Sequence, residues 1–543
     1  MSSLEGTAMN NLFIIPEPAI RDRLRHNVLP SDKERNAIIE SIAVAERLLS
    51  ESEAESALSI SAARNIEEDL LRRYISDYSS LTAPIRRLPA DILETIFLDP
   101  EIHDFVKIGW VTPSSVVDEH NPLLIASVSH HWRDVAVHTA RLWSSFYLNG
   151  CRGEYTLRSL RLCLDRSKDA ALDFTLDLSS LVHPNSAILD EIMKHAERWV
   201  HFSLVAPPNP RHLRLFAPVR GRLHRLEAIA FKVTAFQTPS QTDVDVAEWD
   251  AFQDAPRLTA LELETFRVGP LLPLPFHQIQ TVSFTRSASG HCSELFAMFP
   301  SAREMTFVST GPTDFDVPNS APEALPAVRR IVLGDALAVR EDRMDIFDRL
   351  NTPSLEELYV VDCYNWNLRA IPFIARSGCT LQTLAIHNTR VPGRELLALL
   401  RELPTLGMLV LTNLPPSALT DLVIQTLIPL SRSPTTDAVL PALTRLVLAG
   451  DYLFKTHLLL QMLEARADSL VVIDISLPSK EFGGAELERF AALRPAESSC
   501  LQCLDEQGGP VRIQSGGAAR PGWLPTVLPL PKARRTLSRR MAR

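Results

Sequence analysis

Pro404-Thr405-Leu406-Gly407-Met408-Leu409-Val410-Leu411 sets the reading of this chain. Leu406, Leu409 and Leu411 stand at the first, fourth and sixth places of a short apolar motif. The last two alternate as residues on one face of a β-strand do. Pro404 precedes the motif by two residues. Working outward, the same spacing returns as Leu381, Leu384, Ile386; Leu355, Leu358, Val360; Val328, Ile331, Leu333; Ala302, Met305, Phe307; Ile279, Val282, Phe284; and Leu258, Leu261, Leu263. Toward the C-terminus it gives Leu443, Leu446, Leu448 and Leu470, Ile473, Ile475, and a weaker early copy is Leu223, Leu226, Ile229. Pro256, Pro300, Pro326, Pro353 and Pro441 hold the place of Pro404.

From Leu258 onward the first positions are separated by 21, 23, 26, 27, 26, 25, 37 and 27 residues. Most of these intervals fall in the window of leucine-rich repeats. Between copies lie helical stretches such as Glu395–Leu400 and Leu458–Leu463. One such repeat cannot bury its own apolar side, whereas a stack shares a continuous core. The expectation is an irregular leucine-rich-repeat solenoid over 155–507, with a loop inside the longest interval, 406 to 443. Ordinary α/β alternation over a doubly wound sheet is the competing reading. The strand segments are too short and too alike for it, and no Gly-rich phosphate loop follows any of them.

Beyond the repeats, Gly508-Gly509, Gly516-Gly517 and several prolines predict loss of order over 508–543. Lys532, Arg534, Arg535, Arg539, Arg540 and Arg543 make that tail basic, as in an import signal, a contact for an acidic surface, or a solvated end. Cys500 and Cys503 form a lone C-x-x-C with no second Cys/His pair for zinc and no thioredoxin-like context, so two unlinked thiols are expected.

Toward the N-terminus, residues 1–30 carry few organised signals and are expected to be disordered. Ser31 and Glu34 fit a capping box. Ile38, Ile39, Ile42, Ala45, Leu48 and Leu49 follow helical spacing, and so do Ile66, Leu70, Tyr74 and Tyr78. Residues 31–80 therefore read as amphipathic, coiled-coil-like helices; they could pair as a helical hairpin or coiled coil, but the pattern is too short for a sustained heptad seam, and the apolar face is expected to pack on the next module.

The segment 84–146 carries the functional signal. Pro84 breaks the preceding helix. Leu88-Pro89 opens a helix whose apolar stripe is Leu88, Ile92, Leu93, Ile96 and Phe97, with Asp91 and Glu94 near its positive end. A polar insert runs from Asp99 to Asn121. Pro122 to Ala136 reads as a second helix with Leu124, Val128, Trp132 and Val135 on one face, followed by Leu142-Trp143 and Phe146. His130-His131 reads as surface or core edge, not as a metal ligand. Two or three short helices cannot bury so many apolar groups among themselves, and such a patch marks a partner surface.

Over these 60 or so residues the chain resembles the F-box of fungal F-box proteins, through Leu88-Pro89, Ile92, Leu93, Ile96, Phe97, Val128, Trp132-Arg133 and Leu142-Trp143. The insert is longer than in compact F-boxes. The resemblance implies docking on the Skp adaptor, and through it on a cullin, by Leu88, Pro89, Ile92, Leu93, Ile96, Phe97, Val128, Trp132, Leu142 and Trp143. The expected architecture is α/β: N-terminal helices, a helical F-box-like module, then the leucine-rich horseshoe. The expected function is a substrate-recognition subunit of a Skp–cullin–F-box ubiquitin ligase whose repeats bind an unknown substrate protein. The alternative is a repeat scaffold with no ubiquitin role.

Bulk properties narrow the classes. The chain has 543 residues, 45% of them apolar and 22% charged, a globular composition too long for one ordinary core. Net charge is 56 − 65 = −9, which supplies no basic field for nucleic acid. No run of about 18 apolar residues suggests a membrane span, and Met1–Asn10 is polar, unlike a signal peptide. Seven cysteines at irregular spacing do not form a disulfide framework. A reducing compartment, cytoplasm or nucleus, is expected, with no cofactor, no metal and no catalytic motif.

Overall fold

The computed structural model describes residues 17–56, 62–99, 106–109, 122–149, 153–179, 186–206, 214–233, 250–264, 273–285, 296–308, 323–334, 346–363, 366–429, 439–493, 497–505, 507 and 510–516. The fold is mixed α/β, and the chain divides into two compact units that meet at Lys194 and His195. Residues 155–194 therefore belong with the first unit, not with the repeats that follow.

The first unit opens with three helices, α1 (Glu17–His26), α2 (Asp32–Ser56) and α3 (Ala62–Thr82). The capping box is present: Ser31 N–H donates to Glu34 Oε2 at 2.9 Å, and Glu34 N–H donates to Ser31 Oγ at 3.4 Å. Ile20, Ile38, Ala45, Leu71, Tyr74, Tyr78 and Leu81 share one buried cluster. Two expectations change here. Residues 17–26 are helical and bury Ile20, so disorder does not extend to residue 30; residues 1–16 lie outside the described ones. The long helices pack on each other and on α1, burying Leu71, Tyr74, Tyr78 and Leu81, while Ile66 and Leu70 face out. Strict fourfold spacing drifts around a helix of 3.6 residues per turn, so the four residues of that run cannot all share the buried face.

The unit continues through α4 (Ala90–Phe97), β1 (Val106–Gly109), α5 (Pro122–Val128), α6 (His130–His138), β2 (Ser145–Asn149), α7 (Gly153–Arg166), β3 (Leu172–Asp177) and α8 (Ser186–Met193). β2 pairs in parallel with both β1 and β3, aligning Val106, Phe146 and Phe174, then Ile108, Leu148 and Leu176. The insert thus contributes a strand.

The second unit holds thirteen sheet strands among the described residues: β4 (Trp199–Ala206), β5 (Ala228–Val233), β6 (Ala260–Glu264), β7 (Thr281–Thr285), β8 (Glu304–Val308), β9 (Arg330–Gly334), β10 (Glu357–Val361), β11 (Thr383–His387), β12 (Met408–Thr412), β13 (Arg445–Ala449), β14 (Val472–Glu481), β15 (Ser498–Leu504) and β16 (Pro510–Gly516). They lie side by side in chain order. All neighbours from β4 to β15 are parallel, and β16 returns antiparallel to β15. The expected loss of order from residue 508 is corrected over Pro510–Gly516, because a backbone hairpin onto β15 satisfies those peptide groups. The basic tail from 517 lies outside the described residues.

The motif residues form continuous rows. Leu261, Val282, Met305, Ile331, Leu358, Leu384, Leu409, Leu446 and Ile473 align strand to strand. Leu263, Phe284, Phe307, Leu333, Val360, Ile386, Leu411, Leu448 and Ile475 form a second row, and every residue of both rows is buried. Each copy enters the sheet in the same way. Gln382 and Thr383 N–H both donate to the Glu356 carbonyl at 2.8 and 3.0 Å, and Gly407 and Met408 both donate to that of Gln382 at 2.8 and 2.9 Å. Strands also end alike: Asp362, Asn388 and Asn413, each one residue past a strand, take left-handed φ values of 54°, 46° and 54°. Short polar side chains tolerate that conformation best after glycine.

Helices such as α10 (Gly393–Arg401), which follows α9 (Asn367–Ser377), cover the core side, and α10 buries Leu396, Leu397, Leu399 and Leu400. The long interval from 406 to 443 contains a short helix at Asp421–Thr426, and residues 430–438 are not described. At Gly393 an added Cβ would sit 3.0 Å from Ala418 O and 3.2 Å from Val423 Cγ2. Gly393→Ala should therefore destabilise the chain by about 1–3 kcal/mol, because a backbone carbonyl cannot move aside cheaply. A denaturant titration reads this, and a midpoint equal to wild type would refute the packing given for α10.

Candidate protein-docking site

The site is built on α4, α5 and α6. Pro89 stands at the N-cap of α4, where its missing N–H costs nothing, and Leu93 N–H donates to its carbonyl at 3.1 Å. Leu93 and Phe97, four apart, point inward and are buried. On the other faces Pro89 and Ile92 are exposed, while Leu88 and Ile96 are half-buried. A helix apolar on its inner and outer faces has more oil than its own core uses.

The expected single helix from Pro122 to Ala136 is two helices. Ser129 is extended (φ −156°, ψ 169°), and its side chain accepts from Trp132 N–H at 3.2 Å. This cap starts α6 afresh, so the four residues read as one face separate. On α5, Leu123, Leu124 and Val128 are 50%, 44% and 52% exposed, while Ile125 and Ala126 are buried. On α6, Val135 is buried and Trp132 half-buried. The Trp132 ring lies 5.0 Å from that of Phe97, tilted by 56°, and joins α6 to α4.

Four of the ten residues expected to meet the adaptor are core. Leu93, Phe97, Leu142 and Trp143 are buried. Trp143 donates its indole N–H to the Ala136 carbonyl at 2.7 Å, and the Arg166 guanidinium lies 4.3 Å from its ring centre. Such side chains brace the helices of this module and offer nothing to a partner. Leu88, Pro89, Ile92, Ile96, Val128 and Trp132 stay partly or largely accessible. Sequence reasoning took Leu124 only as part of a helix face and passed over Leu123 and Ile85, the last being 39% exposed.

The N-terminal helices are tied to this module. Arg86 donates to the carbonyls of Ser80 at 2.6 Å and Leu24 at 3.0 Å, and to Asn27 Oδ1 at 3.2 Å. Asn27 Nδ2 donates back to the Arg86 carbonyl at 3.0 Å. The His26 and His130 rings stack at 4.6 Å, 6° from parallel. Burial holds the Arg86 pKa below its ordinary value, since a desolvated guanidinium loses hydration. Arg86→Ala should cost about 1–3 kcal/mol, the loss of several hydrogen bonds to one charged group. Limited proteolysis should then cut faster between α3 and α4, and an unchanged cleavage rate would count against the clamp.

Among the described residues no three His, Cys, Asp or Glu side chains gather as a metal site. Cys163, Cys363, Cys379, Cys500 and Cys503 are free thiols. Cys500 and Cys503 are both buried on β15, three apart and so on opposite faces of the strand. Burial pushes the Cys503 thiol up to about 11, and it raises Cys500 as well. Neither is a ready nucleophile. Native chain treated with iodoacetamide at pH 8 should leave both unmodified until denaturant is added; rapid native labelling of either would contradict this placement.

Among the described residues no helix is long and apolar enough to cross a membrane. No protein-family model matches this chain, and no curated protein matches it.

Proposed function

We propose that the chain is a non-catalytic substrate receptor of a Skp–cullin–F-box ubiquitin ligase. The observation that carries this reading is the exposed apolar set on α4 and α5, Ile92, Leu123, Leu124 and Val128, on helices that bury Leu93, Phe97, Ile125 and Ala126 on their other side. A patch of this kind on a rigid helical base fits an obligate helical partner. The resemblance of residues 84–146 to the F-box names that partner as the Skp adaptor.

The second unit supplies the other half of the role. Leucine-rich repeats continue their apolar motif with Asn or Cys three residues past its third position. Cys363 occupies that place after Val360, and after Ile386 it is taken by Thr389, which departs from the pattern. Both are buried and bond the carbonyl two residues back, Cys363 Sγ–H to Val361 at 3.2 Å and Thr389 Oγ–H to His387 at 2.8 Å. Together with the strand rows and the recurring left-handed Asx turn, this favours a leucine-rich-repeat horseshoe. In the proposed role its free sheet face selects the substrate. Catalysis then lies in other subunits, and this chain contributes effective concentration.

The reading is tested by mixing the purified full chain with a purified Skp subunit and resolving the mixture by size exclusion. A stable one-to-one complex is expected. Separate elution at micromolar concentrations would leave the repeat scaffold without a ubiquitin role as the better reading.

A further inference from the structure

The sheet of the second unit ends on β16. Among the described residues this strand has a neighbour on one side only, β15. Seven consecutive pairs join the two, from Ser498 with Gly516 to Leu504 with Pro510, without a bulge. The far edge of β16 thus carries backbone groups with no strand partner among the described residues, a template on which another strand forms. The usual guards of such an edge are missing. Pro510 is confined to the first position, and no lysine stands between it and Gly516. The core side is unfinished at the same place. Ile475, Leu501 and Ile513 follow one another in register; the first two are buried, but Ile513 is only half-buried, as is Val511. A helix, Gly484–Ala492, stands between β14 and β15, whereas β15 turns directly into β16. A repeat array ordinarily closes on a polar cap. On the opposite face Arg512 and Gln514 are exposed, and Arg512 Nη2 donates to Gln514 Oε1 at 3.3 Å.

We infer that β16 pairs antiparallel with β16 of a second copy of this chain, joining two sheets across a two-fold axis. The strand's own sequence selects the register. For the core sides of both copies to share one side of the joined sheet, the axis must pass through a residue, because a one-residue slip exchanges the faces. An axis through Ile513 pairs all seven residues, Pro510 standing opposite Gly516 of the second copy. It sets Ile513 against Ile513 of the second copy, so that two half-buried aliphatic side chains cover each other. It also sets Arg512 against Gln514 of the second copy on the outer face, where guanidinium N–H can donate to the amide oxygen twice per dimer. An axis through Arg512 would instead bring two guanidiniums face to face, which is destabilising. An isologous contact needs this kind of self-complementarity. The inference goes beyond the receptor reading and does not rest on it.

The experiment is sedimentation velocity of the purified full chain over a concentration series, joined to disulfide trapping. A seven-pair strand contact is small, below about 1,200 Å² in total, so a reversible dimer should show at about 100 µM chain. Gln514→Arg faces Arg512 of the second copy with a like charge and should weaken dimerisation about fivefold, while Gln514→Glu should strengthen it. Both changes lie at an exposed side chain, and thermal melts equal to wild type confirm that the variants fold. Trapping reads the register. Position 513 faces itself at a Cα separation of about 4.5–5.5 Å, within reach of a disulfide. Position 512 and its copy stand two residues out of register, about 8 Å apart, which is too far. Ile513→Cys treated with copper phenanthroline should therefore give a covalent dimer, and Arg512→Cys should give no more than the wild-type background. A chain that stays monomeric at this concentration leaves the edge to some other strand and overturns the inference. Equal trapping at positions 512 and 513, or dimerisation unmoved by both Gln514 substitutions, would overturn it as well.

Discussion

Ile92→Ala combined with Val128→Ala is expected to abolish co-purification of this chain with the Skp subunit while leaving its thermal stability close to wild type. Both side chains are largely exposed, at 44% and 52%, so truncating them removes little from the core. At the desolvated centre of an interface, an apolar anchor is worth about 2 kcal/mol, or roughly thirtyfold in affinity. Two such losses, even if not fully additive, take a submicromolar complex beyond recovery in a wash. Trp143→Ala is the informative contrast. It leaves a cavity beneath Arg166 and removes the bond to the Ala136 carbonyl, so it should lower stability by about 3–5 kcal/mol and weaken docking only by loosening the helices. Intact binding by the Ile92/Val128 variant would remove the docking assignment from this surface.

Arg466→Leu is expected to have the largest effect on stability in the second unit. Its guanidinium is buried and donates to three backbone carbonyls: Leu427 at 2.8 Å, Leu440 at 2.8 Å and Val439 at 2.6 Å. These flank the long connection between β12 and β13, so one side chain ties both ends of the least regular interval to the helix Thr456–Ala465 and its C-terminus. Burial lowers its pKa, the mark of a cation stripped of water. Removing it takes away the guanidinium bonds of the Leu427 and Val439 carbonyls and leaves that of Leu440 with Leu443 N–H at 3.3 Å. At about 1–3 kcal/mol for each buried acceptor lost, with the packing of the side chain, a loss of about 3–5 kcal/mol is expected. Arg466→Lys should recover only part of this, since one ammonium cannot span the fork that the guanidinium provides. A shift in the urea midpoint reads both variants, and a loss under 1 kcal/mol for Leu would contradict the clamp.

How legible this was depends on which side chain carries the pattern. Where leucine or another aliphatic residue fills the motif, as from Leu355 to Leu411, spacing alone located the strands, their row positions and the core. Where a tryptophan opens it and a phenylalanine stands fourth, the same spacing went unread. Trp143, Phe146 and Leu148 repeat the one-four-six pattern at β2, and Trp199, Phe202 and Leu204 repeat it at β4. Trp143 was read only as the close of the helical module, yet its chain neighbours enter the sheet two residues later. The strand Val106–Gly109 was hidden because its partner, β2, was hidden. On α4 to α6, periodicity marked an apolar surplus but could not say which side faces out. That needed the break at Ser129 and the burial of Leu93 and Phe97 beneath Ile92 and Ile96, both set by packing between helices distant in sequence.

The central claim, that α4 and α5 present a surface for the Skp adaptor, is tested most directly by hydrogen–deuterium exchange of the full chain with and without saturating Skp subunit. The account predicts slowed exchange confined to peptides covering residues 88–97 and 122–138, with the strands from β5 to β15 unchanged. Protection on the strands instead, or identical exchange in both samples, would contradict it.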